Sequence, residues 1–278
     1  MFVFLSPAKT LDFASPPLAG IGSQAEQEPT VPRYLDQARD LAAAVRELDA
    51  AEIGRVFGVS ERIAAEVVER YAQWSGADGA LSRTAPALQV LRGEAFKALD
   101  AASLAPEDLA RAQERLRIFS GLYGILRPLD LIEPYRLDFE TPLAGSWGPT
   151  VYHLWREWLG AEICREVADG ASDGASDDAA DGVAGAMQPV LLNLASAEYA
   201  RALPSDGPCR VVTAAFKIRK NNTLRTVGVY AKQARGLMAR WIITERVDTP
   251  EALPTFDLDG WRYREDLSGA DELVFVRA

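Results

Sequence analysis

Six side chains able to do chemistry stand beside apparent strand ends or glycine turns. They are Ser6 and Lys9 in SPAKTLDF, Tyr123 and Arg127 in SGLYGILRP, and Asn193 and Ser196 in LLNLASAEY. A lysine at a strand end is placed to hold a phosphate as a point charge. With a lowered pKa it can instead serve as base or nucleophile. Lys9 lacks the Gly-x-x-x-x-Gly of a P-loop, and Ser196 lacks the Gly-x-Ser-x-Gly elbow. His153 is the chain's one histidine, so a Ser-His-Asp triad has no obvious base. Lys9 and Ser196 are therefore weak catalytic candidates, and the plainer reading makes Ser6 a strand stop and Lys9 a solvated cation. Asn193, inside an apolar run, needs partners once buried; it is either a clamp or a site residue. With two cysteines and one histidine, no His/Cys metal site is expected, and no cofactor is expected either. Cys164 and Cys209 read as two reduced thiols.

A second set of residues suits anion binding. In FSGLYGILRPLDLIEPYRLD (119–138), Gly121 and Gly124 allow close backbone approach or positive φ, and prolines fix the backbone around Arg127 and Arg136. Such a stretch serves equally as a stiffened turn or as a bidentate phosphate clamp. Net charge is −10, yet residues 209–246 hold nine basic residues against Glu245, a local balance of +8 that leaves −18 for the rest. Within that segment lie Lys217, Arg219 and Lys220 on an expected hairpin, and Lys232 and Arg235, which can share a helix face. A segregated basic surface on an acidic protein fits a polyanion, and solvated surface cations fit the same composition. Residues 53–71, IGRVFGVSERIAAEVVERY, read as helix, Gly58-Val59-Ser60 turn and helix. That pattern is shared by helix-hairpin-helix DNA modules and ordinary helical hairpins.

The elements that must carry these residues follow from periodicity. Residues 2–5 form a short buried strand, which also argues against reading the N-terminus as a signal peptide. Helices are expected over 34–48, 51–57, 61–74, 106–119, 151–168 and 232–247, strands over 190–196, 209–220 and 223–231, and a closing strand pair near the C-terminus. Asn221-Asn222 marks a two-residue turn. His153, in VYHLWREWL, is expected to pack or cap. The aspartate-rich 169–182 reads as a disordered insertion into a single domain spanning 1–278. No apolar run is long enough to cross a membrane. The fold class is α/β, a mixed sheet wrapped by helices.

Four blocks, SPAKTLDF, SGLYGILRPLDLIEPYRLD, LLNLASAEY and YAKQARGLMARWII, fall in one order across nearly the whole chain. With them the sequence resembles the YaaA (DUF328, UPF0246) family. The resemblance implies a cytoplasmic bacterial protein of hydrogen peroxide resistance, associated with lowering free intracellular iron. It implies a β-core wrapped by helices, a basic cleft, a helix-hairpin-helix element, and binding to double-stranded or distorted DNA. By matching position, Lys9, Arg127, Arg136, Lys232 and Arg235 become cleft candidates. The chain departs from the family pattern in its longer aspartate-rich connection and in the basic FKIRKNNTLRT (216–226), where relatives more often carry an acid after the phenylalanine. An enzyme acting on a nucleotide or nucleic acid, through a pocket including Ser6, Lys9, Asn193 and Ser196, is the alternative expectation. Direct iron binding would have to rely on carboxylates, of which 169–182 is the richest source.

Overall fold

The structure is a computed structural model. It describes the chain except residues 20, 22–26, 77–82, 173–187, 206 and 222. Its centre is a mixed sheet of β1 (Phe2–Leu5), β2 (Leu116–Ser120), β3 (Gly124–Leu126), β4 (Val190–Leu194), β5 (Arg210–Lys220), β6 (Thr223–Arg225), β7 (Arg262–Tyr263) and β8 (Glu272–Arg277). The spatial order is β7-β8-β5-β4-β1-β2-β3, with β6 also pairing β5. β1 runs parallel to both neighbours, Phe4 facing Arg117 on one side and Asn193 on the other. β4/β5 and β5/β8 are also parallel, whereas β2/β3, β5/β6 and β7/β8 are antiparallel. Every residue of β1 and β2 is buried, as continuous apolar strands in a covered parallel sheet must be.

Helices α1 (Leu35–Arg46), α2 (Ala50–Phe57), α3 (Glu61–Gln73), α4 (Glu94–Leu99), α5 (Pro106–Arg115), α6 (Val151–Ser172), α7 (Ala197–Ala200) and α8 (Gly228–Thr244) surround the sheet. α2 begins on a reciprocal capping box, Asp49 with Glu52, and ends on Gly58 at φ 60. α8 lies against β1 and β5, and α4 packs closely on α8.

Three element expectations need correction. The helix expected to reach Phe119 stops at Arg115, and Leu116–Ser120 is strand β2. A short run such as LRIF satisfies either period, and pairing with β1 decides it. There Arg117 is buried, its Nη1 donating to the Gln113 and Leu116 carbonyls, its guanidinium over the Phe2 ring. The strand expected over 223–231 covers only Thr223–Arg225, and α8 starts at Gly228, because Ala231 and Ala234 bury against the core. α6 runs on to Ser172, so residues 169–172 are helical, while 173–182 of the aspartate-rich stretch lie outside the described residues, as does Asn222. Asn221 takes φ 48, the positive φ its turn requires.

The glycine-rich stretch opening at Phe119 is interior. Gly124 at φ 71 closes the β2–β3 hairpin beneath the Trp155 ring, and the Trp155 indole N–H donates to the Gly121 carbonyl at 2.8 Å. A Cβ on Gly121 would overlap the Leu137 carbonyl oxygen and stand 2.9 Å from Asp138 N. The Tyr123 hydroxyl accepts from Trp74 Nε1 (3.0 Å) and Glu133 N (3.1 Å), and burial raises its pKa well above the ordinary phenol range. The buried Glu133 carboxylate takes Ser75 N, Ser75 Oγ and Gly76 N. Glu133→Ala should cost about 2 kcal/mol in urea unfolding, since it leaves the buried Gly76 amide without its acceptor.

Candidate functional site

β1 and β4 end side by side, but their chains leave in opposite directions. β1 leads on to β2 on one flank and β4 to β5 on the other. This is a topological switch point, where an open α/β sheet leaves a crevice beyond its strand ends. A cleft of about 450 Å³ opens there. Its floor is stitched by two serines: Ser196 N donates to Ser6 Oγ at 2.7 Å, and Ser6 Oγ donates to Ser196 Oγ at 3.2 Å. Asn193 lies beneath, its Nδ2 donating to Thr213 Oγ1 (3.2 Å) and its Oδ1 accepting from Ala195 N (2.9 Å). It is a clamp that holds the strand-end turn, and it does not line the cleft.

Five cations line the cleft, Lys9, Arg92, Lys97, Lys232 and Arg235, against three carboxylates, Glu94, Asp138 and Glu198, a surplus of two. Three of the five have hydrogen-bond or ion-pair partners. Lys9 Nζ is 2.7 Å from Asp138 Oδ2, and Lys97 Nζ is 3.1 Å from Glu94 Oε1. Arg92 donates to Ser15 Oγ, and the exposed Lys232 feels the Glu94 charge only at longer range. Arg235 differs: its Nε is buried without an acceptor, and desolvation lowers its pKa. A guanidinium partly withdrawn from water gains from an anion that meets its remaining N–H groups.

The acids shape the opposite wall. Tyr199 OH donates to Asp138 Oδ1 at 3.2 Å, completing a Lys9–Asp138–Tyr199 chain. Glu198 is raised above the ordinary carboxylate range, first by burial and next by the Asp138 charge. A raised folded pKa means that Glu198 adds stability below its unfolded pKa and loses it as pH rises through the folded value. Glu198→Gln should therefore raise Tm by about 1–2 °C at neutral pH, with the gain vanishing below roughly pH 4. A Tm series against pH checks this.

Of the residues expected to share one site, Ser6, Lys9, Ser196, Lys232 and Arg235 converge here. The others do not. Arg127 wraps the buried Asp130 (N to Oδ2 2.8 Å, Nε to Oδ1 3.2 Å) and Arg136 offers its carbonyl to Tyr71 OH; neither lines the cleft. The stretch that carries them contributes Asp138 instead. Gly121, Tyr123 and Gly124 are core, so they serve the turn and offer no seat in the cleft. Lys217 is half-buried, and Arg219 and Lys220 are exposed on the β5–β6 hairpin. The basic segment is divided further, because Arg210 pairs with Asp271, Arg246 with Asp108, and Arg240 holds the Leu99 and Asp100 carbonyls. Gly58, Val59 and Ser60 form the tight α2–α3 turn, with Val59 N on Gly54 O, away from the cleft lining. Arg55, Arg62 and Arg70 near that turn pair with Glu52 and Glu66. His153 Nδ1 shares a hydrogen bond with Thr150 Oγ1, a local packing role. Among the described residues no helix is long and apolar enough to cross a membrane.

Asp138, Glu198, Tyr199, Arg92, Glu94 and Lys97 escaped the sequence reading. Glu198 and Tyr199 lie inside LASAEY and Asp138 closes YRLD, so the blocks pointed to them even though a search for cations passed them over.

Fold and cleft together define a class: an α/β protein with a mixed charged crevice, cationic in balance, at the switch point of its sheet. The family model for the peroxide stress protein YaaA matches residues 1–267, and the chain belongs to that family. A UPF0246 protein of Cellvibrio japonicus (strain Ueda107) is 37% identical over 282 residues, covering 100% of this chain and 98% of the relative. UPF0246 proteins of Shewanella sp. (strain MR-4) and Shewanella baltica (strain OS155 / ATCC BAA-1091) are each 36% identical, over 100% of this chain and 99% and 100% of theirs.

Proposed function

We propose that this protein defends cytoplasmic DNA against hydrogen peroxide by binding it, with the switch-point cleft seizing one phosphate-bearing nucleotide at an end or distortion of the duplex. The observation that carries this is the surplus of two positive charges in the cleft lining, with the partly desolvated, half-buried Arg235 at its wall. The volume, about 450 Å³, suits a single nucleotide and is far too small for a duplex. A frayed or flipped nucleotide costs least to extrude where pairing is already broken. Lys217, Arg219, Lys220, Arg127, Arg136 and the Gly58–Ser60 turn are outer contacts for the flanking backbone in this reading. The effect on free iron associated with the family is then indirect.

The test is a salt titration with labelled duplexes, intact, nicked and frayed. Phosphate contacts by the cleft alone predict that log K falls against log salt with a slope of about −2 to −3, steeper by about 1 for each outer cation engaged, and that nicked or frayed DNA binds more tightly. Affinity that ignores salt, or an absence of binding at low salt, sinks the proposal.

A second reading, an enzyme acting on a nucleotide or nucleic acid, is favoured by the Lys9–Asp138–Tyr199 chain and the raised Glu198 inside the same cleft. It predicts turnover of single-stranded DNA or nucleotides detectable by mass spectrometry, abolished by Asp138→Asn with binding retained.

A further inference from the structure

A second cavity, of about 860 Å³, lies between α6 and the connection from α7 to β5, and it shares no lining residue with the switch-point cleft. Tyr152, Arg156 and Gly160 recur every four residues on α6, so they form one ridge along the cavity wall. The facing wall is apolar and stiff, with Leu203, Pro204 and Pro208. Arg165 and Arg201 join Arg156, so the described lining holds three guanidinium groups and no carboxylate. Acids outside the lining offset only part of that charge. Glu162 is divided between Arg165 and Arg33, 3.0 Å from each, and Glu140 Oε1 stands 3.5 Å from Arg201 Nη1. The exposed Arg156 has no hydrogen bond or ion pair among the described residues. Tyr152 fixes Arg201: its hydroxyl donates to the Arg201 carbonyl at 3.2 Å, and the guanidinium lies 4.0 Å over its ring. Gly160 is a poor residue for the middle of a helix, and no packing among the described residues requires it. A Cβ there would meet nothing within 4 Å, so the glycine leaves the floor beside Arg156 bare.

We infer that this cavity is a site for a nucleoside polyphosphate, its phosphates on the three guanidinium forks and its nucleoside over the bare floor at Gly160 and the proline-stiffened wall. Arginine presents paired N–H donors that match phosphate oxygens, and it keeps its charge at any physiological pH. One phosphate cannot engage three such forks fully, whereas a chain of two or three phosphates carries the charge to meet them. An inorganic polyphosphate would leave the apolar wall unused, so the lining favours an anion with an organic body. The volume falls within the range of small-molecule sites and does not admit a duplex. The site stands apart from the DNA reading, because none of its residues lines the switch-point cleft.

The experiment is a calorimetric titration of the full-length chain with ATP, tripolyphosphate and adenosine, without magnesium, at about 0.1 M salt. Arg235→Met is titrated in parallel, because ATP can also enter the switch-point cleft. The expected result is saturable ATP binding with a Kd of about 100 μM or tighter, kept in Arg235→Met. Tripolyphosphate should bind about 10-fold more weakly for want of an apolar body, and adenosine not measurably. Arg156→Gln should weaken ATP about 10-fold through one lost charge-assisted contact and leave Tm unchanged. Gly160→Leu should weaken ATP at least as much with Tm the same or higher, since leucine fills the floor and favours the helix. Affinity for a nicked duplex should hold in both variants. The inference is overturned if ATP shows no saturable binding, if both cavity variants keep it, or if tripolyphosphate binds as tightly as ATP. Loss of ATP binding in Arg235→Met moves the nucleotide to the switch-point cleft and overturns it too. An equal fall in duplex affinity in Arg156→Gln makes the cavity an outer contact for DNA, which also overturns it. Should Gly160→Leu not fold, the exposed Arg156→Gln decides.

Discussion

Arg235→Met lowers affinity for a nicked or frayed duplex by about 30-fold and, at the same time, raises Tm. The two signs together carry the argument. A hydrogen-bonded, charge-assisted phosphate contact is worth about 1.5–3 kcal/mol, and roughly 1.4 kcal/mol is tenfold in affinity, so loss of one buried contact falls near 30-fold. The salt slope should become shallower by about 1 because one counterion-releasing contact is gone. Stability moves the other way: the guanidinium is desolvated and its Nε has no acceptor in the free protein. Methionine keeps most of the stem packing and removes the buried charge. Such opposition is usual where a group serves a ligand at the expense of the fold. Isothermal titration and thermal melts on one preparation suffice. A variant with Arg219 and Lys220 both changed to Glu, on the β5–β6 hairpin outside the cleft lining, is the comparison, and its loss should be alike for intact and nicked duplexes. Unchanged affinity in Arg235→Met removes the cleft from the DNA reading, and a fall in Tm assigns Arg235 a structural role.

Gly236→Ala is expected to destabilise the protein by about 3 kcal/mol, against the direction that helix propensity indicates. Inside a helix alanine is favoured over glycine by about 1 kcal/mol. Here a Cβ would overlap the Ala95 carbonyl oxygen and stand 2.7 Å from Ala95 C and 2.9 Å from Ala95 Cα. The atoms in the way are backbone at the first turn of α4, which cannot swing aside like a side-chain tip. Relief requires moving α4 off α8, and those two helices carry Glu94, Lys97, Lys232 and Arg235 into the cleft. Overpacking of this kind commonly costs 1–3 kcal/mol and more against backbone, so it outweighs the propensity gain. Urea unfolding measures the loss. Retained wild-type stability would mean that the helices separate freely.

Much of the scaffold could be read from periodicity: FVFL as a buried strand, the capped α2–α3 pair, the long β5, and the closing pair of β7 and β8. Misreadings came where local pattern and tertiary pairing compete. LRIF satisfies a helical and a strand period alike, and only β1 beside it settles the matter. For the site, residues at strand ends were legible because Ser6 and Ser196 follow apolar runs. Arg127 and Arg136 looked equivalent to Lys232 and Arg235 in charge, but charge does not reveal that Asp130, three residues on, claims Arg127. The cleft's acids were invisible to a search for positive charge. Sequence distance holds no record of which segments fold back onto each other.

The order in which the crevice is assembled follows from where its walls lie in the chain. Along the chain Ser6 and Lys9 precede Asp138, Glu198 follows it, and Lys232 with Arg235 come after all of these. Before α8 arrives, the remaining lining holds three positive and three negative groups and has no net pull on an anion. On the proposed reading, a chain that still lacks α8 is therefore indifferent to surrounding nucleic acid and gains its hold on phosphate once that helix docks.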